Sequence, residues 1–351
     1  MSKFFNSRLS ALEAYTPGEQ PKDMAYVKLN TNESPFPPAP AVREALNGDA
    51  VGKLRLYCDP EASLLKKALA SHYNTLPSRV FVSNGSDDIL NFAFLAFGEK
   101  GVVFPDISYG FYEVFAKLHG ISYEKVPLKE DFSIAPSDYF GKGKMICIAN
   151  PNAPTGMTLS LEEVESIVAS NKDSVVLIDE AYVDFGGESA LPLVEKYPNL
   201  LCVGTFSKSR SMAGARLGFA FASEALIEDL EKIKYSTNPS NVNSLTQLLG
   251  VVTLENQSYY DENCQRIIDA RTYTERALSS LGFTVLPSKT NFVFAKSDKI
   301  SGEALYLALK KKGILVRHFQ KPRIADFNRI TVGSQEDMEA LVKAITEILA
   351  E

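Results

Sequence analysis

From about residue 60 onward, short apolar runs alternate with stretches whose apolar residues recur at helical spacing. The runs predict strands over 79–83, 101–104, 144–149, 174–179, 200–205 and 216–221, and the spaced stretches predict helices over 61–73, 87–97, 109–118 and 161–169. The strands "KMICIA" and "SVVLID" are apolar without alternation, the pattern of a parallel strand covered by helices on both faces. The helix after Ser160 opens with a capping box, because Glu163 follows three residues on and the two side chains can each satisfy an unpaired amide. Alternating units of this kind predict an α/β fold with a mostly parallel central sheet.

The pattern changes at both ends. Residues 1–40 are rich in Pro, Asn and Ser and read as an extended arm. From about residue 241 a long helical stretch runs to Ser280, followed by "FTVL", "NFVFAK" and "ILVRHF" as strands of a second, smaller sheet. The segment 335–350 places Met338, Leu341, Val342, Ile345, Ile348 and Leu349 on one helical face. The expected division is an arm (1–34) packing on the small domain and the site, a large domain (35–240) and a small C-terminal α/β domain (241–351). A chain of 351 residues is long enough for two such domains.

Composition narrows the chemistry. With 45% hydrophobic and 23% charged residues and no apolar run near the roughly 18 residues of a membrane span, the chain reads as a soluble protein, expected in the cytoplasm. A net charge of -6 argues against nucleic-acid or membrane partners. Cys58, Cys147, Cys202 and Cys264 show no CxxC pairing and read as free thiols, mostly buried. The three histidines, His72, His119 and His318, have no second ligand at metal spacing, so no metal site is expected. A reactive group would then be a lysine, a carboxylate or a cofactor.

Four segments carry candidate chemistry. In "TFSKSRSMAGARLGF", Lys208 follows a strand and Arg216 lies eight residues downstream. A lysine at a buried strand's end can condense with an aldehyde, while Ser207 and Arg216 suit a phosphate. On its own the segment reads equally as a loop with a solvated lysine. In "VVLIDEAYVDF", Asp179 ends an apolar strand, where an ionised carboxylate needs a partner such as a pyridinium nitrogen. Tyr182, three residues on, could reach a phenolic oxygen of the same ring. Alone, Asp179 reads as a helix cap. "SNGSDDIL" puts Gly85, Ser86 and Asp87 at a helix start, a phosphate-binding arrangement that a plain N-cap also explains. "NPNAPTG" is a tight turn at a strand's carboxyl end, where α/β folds place ligands.

Together these segments, with "LNTNESP", "LYCDPEAS", "NFVF", "GILVR" and "NRITVGS", resemble the fold-type I aminotransferases along nearly the whole chain. The "LNTNESP" arm and the paired "GILVR" and "RITVG" segments resemble the histidinol-phosphate branch of that class. The resemblance implies pyridoxal 5'-phosphate held as a Schiff base on Lys208, which then moves the proton at the substrate Cα. It implies Asp179 on the pyridine nitrogen, Tyr182 on the ring oxygen and Tyr109 stacked on the ring. The phosphate falls to the amides of Gly85, Ser86 and Asp87, with Ser207 and Arg216. Tyr57 would serve the neighbouring subunit's cofactor, so a homodimer with shared sites is expected. Arg329 would take the carboxylate of glutamate or 2-oxoglutarate and Arg317 the substrate phosphate, with Tyr15 and Asn32 closing over the substrate.

One position departs from the family. An asparagine usually precedes Pro-Thr-Gly and bonds the ring oxygen, but here Ala153 stands there. Tyr182 would serve alone, or Asn152 or a water would substitute. The expected reaction is reversible amino exchange between L-histidinol phosphate and 2-oxoglutarate. Threonine-phosphate decarboxylases and aromatic aminotransferases are similar enough to be alternatives, and a non-catalytic cofactor-binding sensor is a further one. A structural ion pair is the plain alternative for Arg317 and Arg329, and Arg323 is open between an anion pocket and a surface charge.

Overall fold

The computed structural model describes every residue except 1, 3, 11 and 351. The arm contributes β1 (Val27–Lys28). The large sheet is built from β2 (Val80–Ser83), β3 (Val102–Pro105), β4 (Tyr123–Val126), β5 (Met145–Ala149), β6 (Val176–Asp179), β7 (Leu200–Thr205) and β8 (Gly218–Ala222). The smaller elements are β9 (Phe283–Val285), β10 (Phe292–Ser297), β11 (Ile314–Leu315), β12 (Arg317–His318) and β13 (Phe327–Thr331). The seven strands run in the order β2-β8-β7-β6-β5-β3-β4, with β8 antiparallel to both its neighbours and the other pairs parallel. The expected α/β architecture is therefore present.

Every residue of β5, β6, β7 and β8 is buried, because apolar clusters cover both sheet faces. The helix Leu161–Ser170 carries the expected box: Ser160 N–H donates to Glu163 at 2.8 Å and Glu163 N–H to the Ser160 hydroxyl at 3.2 Å.

β8 explains how Arg216 joins the other site residues. Because it runs against its neighbours, its start lies at the sheet edge where the parallel strands end. Arg216, expected inside that strand, instead precedes it with φ +55°.

Three expectations change in detail. The long helical stretch after 241 is two helices, Ser244–Glu255, capped by Asn243, and Gln257–Ser280, separated at Asn256. "ILVRHF" is divided between sheets: β11 pairs parallel with β1, and β12 pairs antiparallel with β13 in the order β12-β13-β10-β9. The helices Glu224–Thr237 and Gly302–Lys311 are additional elements. None of the described helices is long and apolar enough to cross a membrane.

The arm is held by backbone. Leu29 N–H donates to Leu315 O at 2.8 Å, and Thr331 N–H donates to Leu29 O at 2.9 Å. Arg271, buried on the helix Gln257–Ser280, ties two further segments together through Phe185 O (2.9 Å) and Thr290 O (2.6 Å). The residues just beyond Leu29 and just before Phe185 thereby face one another.

Candidate active site

The carboxyl ends of β5, β6 and β7 and the start of β8 border a cavity of about 330 Å³. Eight residues expected from the sequence line it: Ser86, Asp87, Tyr109, Asp179, Tyr182, Ser207, Lys208 and Arg216. Thr31 and Glu33 of the arm, Thr205, four alanines including Ala153, and Gly214 complete the wall.

Asp179 is buried at the end of β6. Tyr112 donates to its Oδ2 at 2.8 Å and the Ala181 N–H to its Oδ1 at 3.2 Å. Burial pushes the carboxyl up to about 6, against the lowering effect of those two bonds. No cation forms an ion pair with it among the described residues. Lys208 Nζ lies 5.7 Å from the Tyr182 ring centre and has no carboxylate partner among the described residues. A buried anion and an unpaired amine thus face one enclosed space.

The phosphate-sized corner rests on backbone. Gly85 takes φ +87° immediately before the helix Ser86–Phe97, whose first amides are free of intrahelical partners. A Cβ at Gly85 would sit 2.5 Å from Arg216 Nη2, and one at Gly218 would sit 2.4 Å from Ser86 N, so this cradle requires both glycines. Thr205 donates its hydroxyl proton to Ser207 Oγ at 3.0 Å, leaving the Ser207 proton available. Arg216 donates to Asp87 Oδ2 at 3.2 Å, and Tyr109 donates to Asp87 Oδ1 at 2.8 Å. The Asp87 side chain therefore positions two neighbours, a use not foreseen for it.

The arginines sit on the small sheet. Arg317 and Arg329 are direct partners across β12 and β13. Arg317 donates to Thr16 O (3.2 Å) and Pro17 O (3.4 Å), and Arg329 to Asn30 O (2.9 Å). Arg329 Nε is buried without a partner, and burial lowers the pKa of this guanidinium. Neither arginine pairs with a carboxylate among the described residues, so the structural ion pair is not their role. Two adjacent guanidiniums repel and are poised for an anion. Tyr15 stacks on Phe111 at 4.2 Å and lies 6.3 Å from Tyr109. Asn32 donates to the Tyr182 hydroxyl at 2.8 Å.

Seven expected residues are not part of this lining: Gly85 backs the cradle, Tyr15, Asn32 and Arg329 stand close to lining residues, Arg317 lines a separate cavity with Thr16, Pro17 and Glu19, and Asn152 and Tyr57 lie apart. Asn152 is buried in its own turn: its Nδ2 donates to Ile107 O (3.0 Å) and Thr155 Oγ1 (2.9 Å), and its Oδ1 accepts from Ser108 (2.8 Å). It has no donor left to substitute for the residue missing at Ala153. Tyr57 is 94% exposed on this chain. Arg323 braces Leu128 O (3.0 Å) and Lys129 O (2.7 Å) and pairs with Asp106 at 3.4 Å, so its charge is already engaged by the protein.

Tyr112 was not foreseen, although its place three residues after Tyr109 hints at a shared face. Removing its hydroxyl deprives the buried carboxylate of its best donor. Tyr112→Phe should raise the Asp179 pKa by about one unit further. Carbonyl-edited NMR of the labelled carboxyl checks this, and an unchanged titration refutes it.

The sequence likeness extends well beyond these residues. Residues 25–345 match the family described as aminotransferase class I and II. The chain is 47% identical to the histidinol-phosphate aminotransferase of Brachyspira hyodysenteriae over 99% of both chains. The solved histidinol-phosphate aminotransferase of Sinorhizobium meliloti, in complex with pyridoxal-5'-phosphate, superimposes with a TM-score of 0.87 at 26% identity, covering 100% of this chain and 98% of that one. L-threonine-O-3-phosphate decarboxylase from Porphyromonas gingivalis shares the fold, with a TM-score of 0.81 at 21% identity, covering 93% of this chain and 100% of that one. The cavity stands at the strand ends of this shared architecture, and the chain belongs to the class I and II aminotransferase family.

Proposed function

We propose that the protein is a pyridoxal-phosphate-dependent aminotransferase exchanging an amino group between L-histidinol phosphate and 2-oxoglutarate. The observation that carries this reading is the unpaired Lys208 amine and the buried, cation-free Asp179 carboxylate facing one cavity beside a glycine-backed cradle. The full-length likeness to a histidinol-phosphate aminotransferase supports the substrate.

The residues fit the cofactor. The buried carboxylate lacks a cation, which a pyridinium nitrogen would provide. The cradle before Ser86–Phe97, with Ser207 and Arg216, has donors for a phosphate. When bound, the cofactor supplies an aldehyde and an electron-withdrawing ring. Asp179 would keep that ring protonated, Tyr109 would wall one side, and Tyr182 would present a hydroxyl. Lys208 takes and returns the proton at the substrate Cα. Arg329 holds a carboxylate or phosphate and Arg317 adds a second positive charge, which suits two anionic substrates bound in turn.

The same reading assigns Tyr57 to a neighbouring copy of the chain. In its support, Leu54, Leu56, Tyr57 and Leu64 are between 51% and 94% exposed, an apolar face suited to a second protomer. Sedimentation of the purified protein should give a dimer, and a monomer would remove this assignment.

Incubation with histidinol phosphate and 2-oxoglutarate should yield glutamate. Carbon dioxide release from phosphothreonine without glutamate formation would replace the proposal with a decarboxylase. Arg329→Gln should raise KM for 2-oxoglutarate by about 10² through loss of a charge-assisted bond. The thermal midpoint should fall only slightly, because the guanidinium gives up one bond, to Asn30 O, and strands no carboxylate among the described residues. An unchanged KM counts against this role for Arg329.

A further inference from the structure

Asn32 adopts φ +57°, a region that asparagine and glycine tolerate and most residues do not. Its backbone N–H donates to Thr331 Oγ1 at 2.9 Å, so the Thr331 proton is directed onto Asn32 Oδ1, also at 2.9 Å. That fixes the amide: its oxygen is occupied by Thr331, and its nitrogen donates to the Tyr182 oxygen at 2.8 Å. Asn291 clamps the same residue by donating to Asn32 O at 3.0 Å. The Tyr182 ring is held edge-on against Phe292, with centres 5.2 Å apart. A phenol that accepts on one side aims its own proton away from that donor. Tyr182 lines the cavity, whose wall also includes the methyl groups of Ala149, Ala153 and Ala181, so the cavity is where that proton can serve.

We infer that Asn32 is a positioning residue, which occupies the acceptor side of the Tyr182 oxygen and thereby holds that hydroxyl as a donor into the cavity. This goes beyond the proposed function and rests on it, since the receiving group is the phenolic oxygen of the cofactor. It also gives Asn32 a different task from closing over the substrate. A donor at that oxygen draws off negative charge that would otherwise help retain a proton on the Lys208 nitrogen bound beside it. Losing the oriented donor should therefore raise the pH at which that proton leaves.

The test is a spectrophotometric pH titration of the visible band in protein loaded with pyridoxal phosphate. Asn32→Gly removes the side chain while keeping the left-handed backbone comfortable. Asn32→Asp keeps the shape but puts an acceptor where the donor stood, and it preserves the test if the glycine variant fails to fold. The midpoint should rise by about 0.5 unit in Asn32→Gly and by about one unit or more in Asn32→Asp. Tyr182→Phe should raise it as well, and in that background Asn32→Gly should add nothing, as expected when one residue acts only through the other. Midpoints unchanged in both Asn32 variants overturn the inference and leave the cofactor assignment standing. An Asn32→Gly shift of equal size with and without the Tyr182 hydroxyl does the same. Wild-type protein that develops no visible band overturns both.

Discussion

Lys208→Ala should abolish the visible band of the cofactor-loaded protein and lower turnover by about 10⁴-fold or more. Among the described residues Lys208 is the only lysine lining the cavity, so no second amine there can take over. Two contributions are lost together, the covalent attachment that orients the cofactor and the proton transfer at Cα, and residues acting as a unit lose nearly everything when either part goes. The fold should survive. Among the described residues Lys208 has no carboxylate ion-pair partner to strand, and its removal gives up only a contact with the face of the Tyr182 ring. The check combines absorbance, turnover and the unfolding midpoint. A variant that keeps its band and more than about a tenth of the turnover would place the chemistry on another group.

Asp179→Asn should lower turnover by about 10³-fold while making the cofactor-free protein more stable at neutral pH. Burial raises this carboxyl to about 6, above its unfolded value, so the folded state holds its proton more tightly than the unfolded chain does. Its contribution is greatest when protonated and is lost as pH rises from about 4 to 6. Glu180 on the next position has the same sign, pushed up to about 7 by burial. Stability of the cofactor-free protein should therefore fall between about pH 4 and 7. The amide variant removes the Asp179 share, on the order of 2 kcal/mol at pH 7. Tyr112 and the Ala181 amide can still bond the new side chain. Adding cofactor should stabilise the wild type more than the variant, because only the wild type gains a cation for its buried charge. Equal pH profiles for the two cofactor-free proteins would refute the account.

The large sheet was legible because its central strands are covered on both faces and so read as unbroken apolar runs. β4 was not, since "YEKV" lies at the sheet edge with only Val126 buried. The helix Glu224–Thr237 buries only Ile227, Leu230 and Lys234, too thin a stripe to stand out. "ILVRHF" concealed a change of sheet because side-chain polarity does not record which backbone a strand pairs with. Lys208, Asp179 and Arg216 were readable as chemistry placed at strand ends. Asn152 was misplaced because a turn can consume an amide's whole hydrogen-bonding capacity locally, which spacing alone does not reveal. Tyr112 and the Asn32–Tyr182 contact depend on how distant segments meet.

The pairing of β1 with β11 sets an order of assembly. The arm is made well before its partners Ile314, Leu315 and Thr331, which lie almost 300 residues further along. Nucleation can proceed on the large sheet meanwhile, but contacts spanning almost 300 residues close late. A nascent chain stalled before β11 would carry Lys208, Asp179 and the phosphate cradle without the strand that seats Asn32. Maturation of the pocket thus waits on synthesis of β11 and β13.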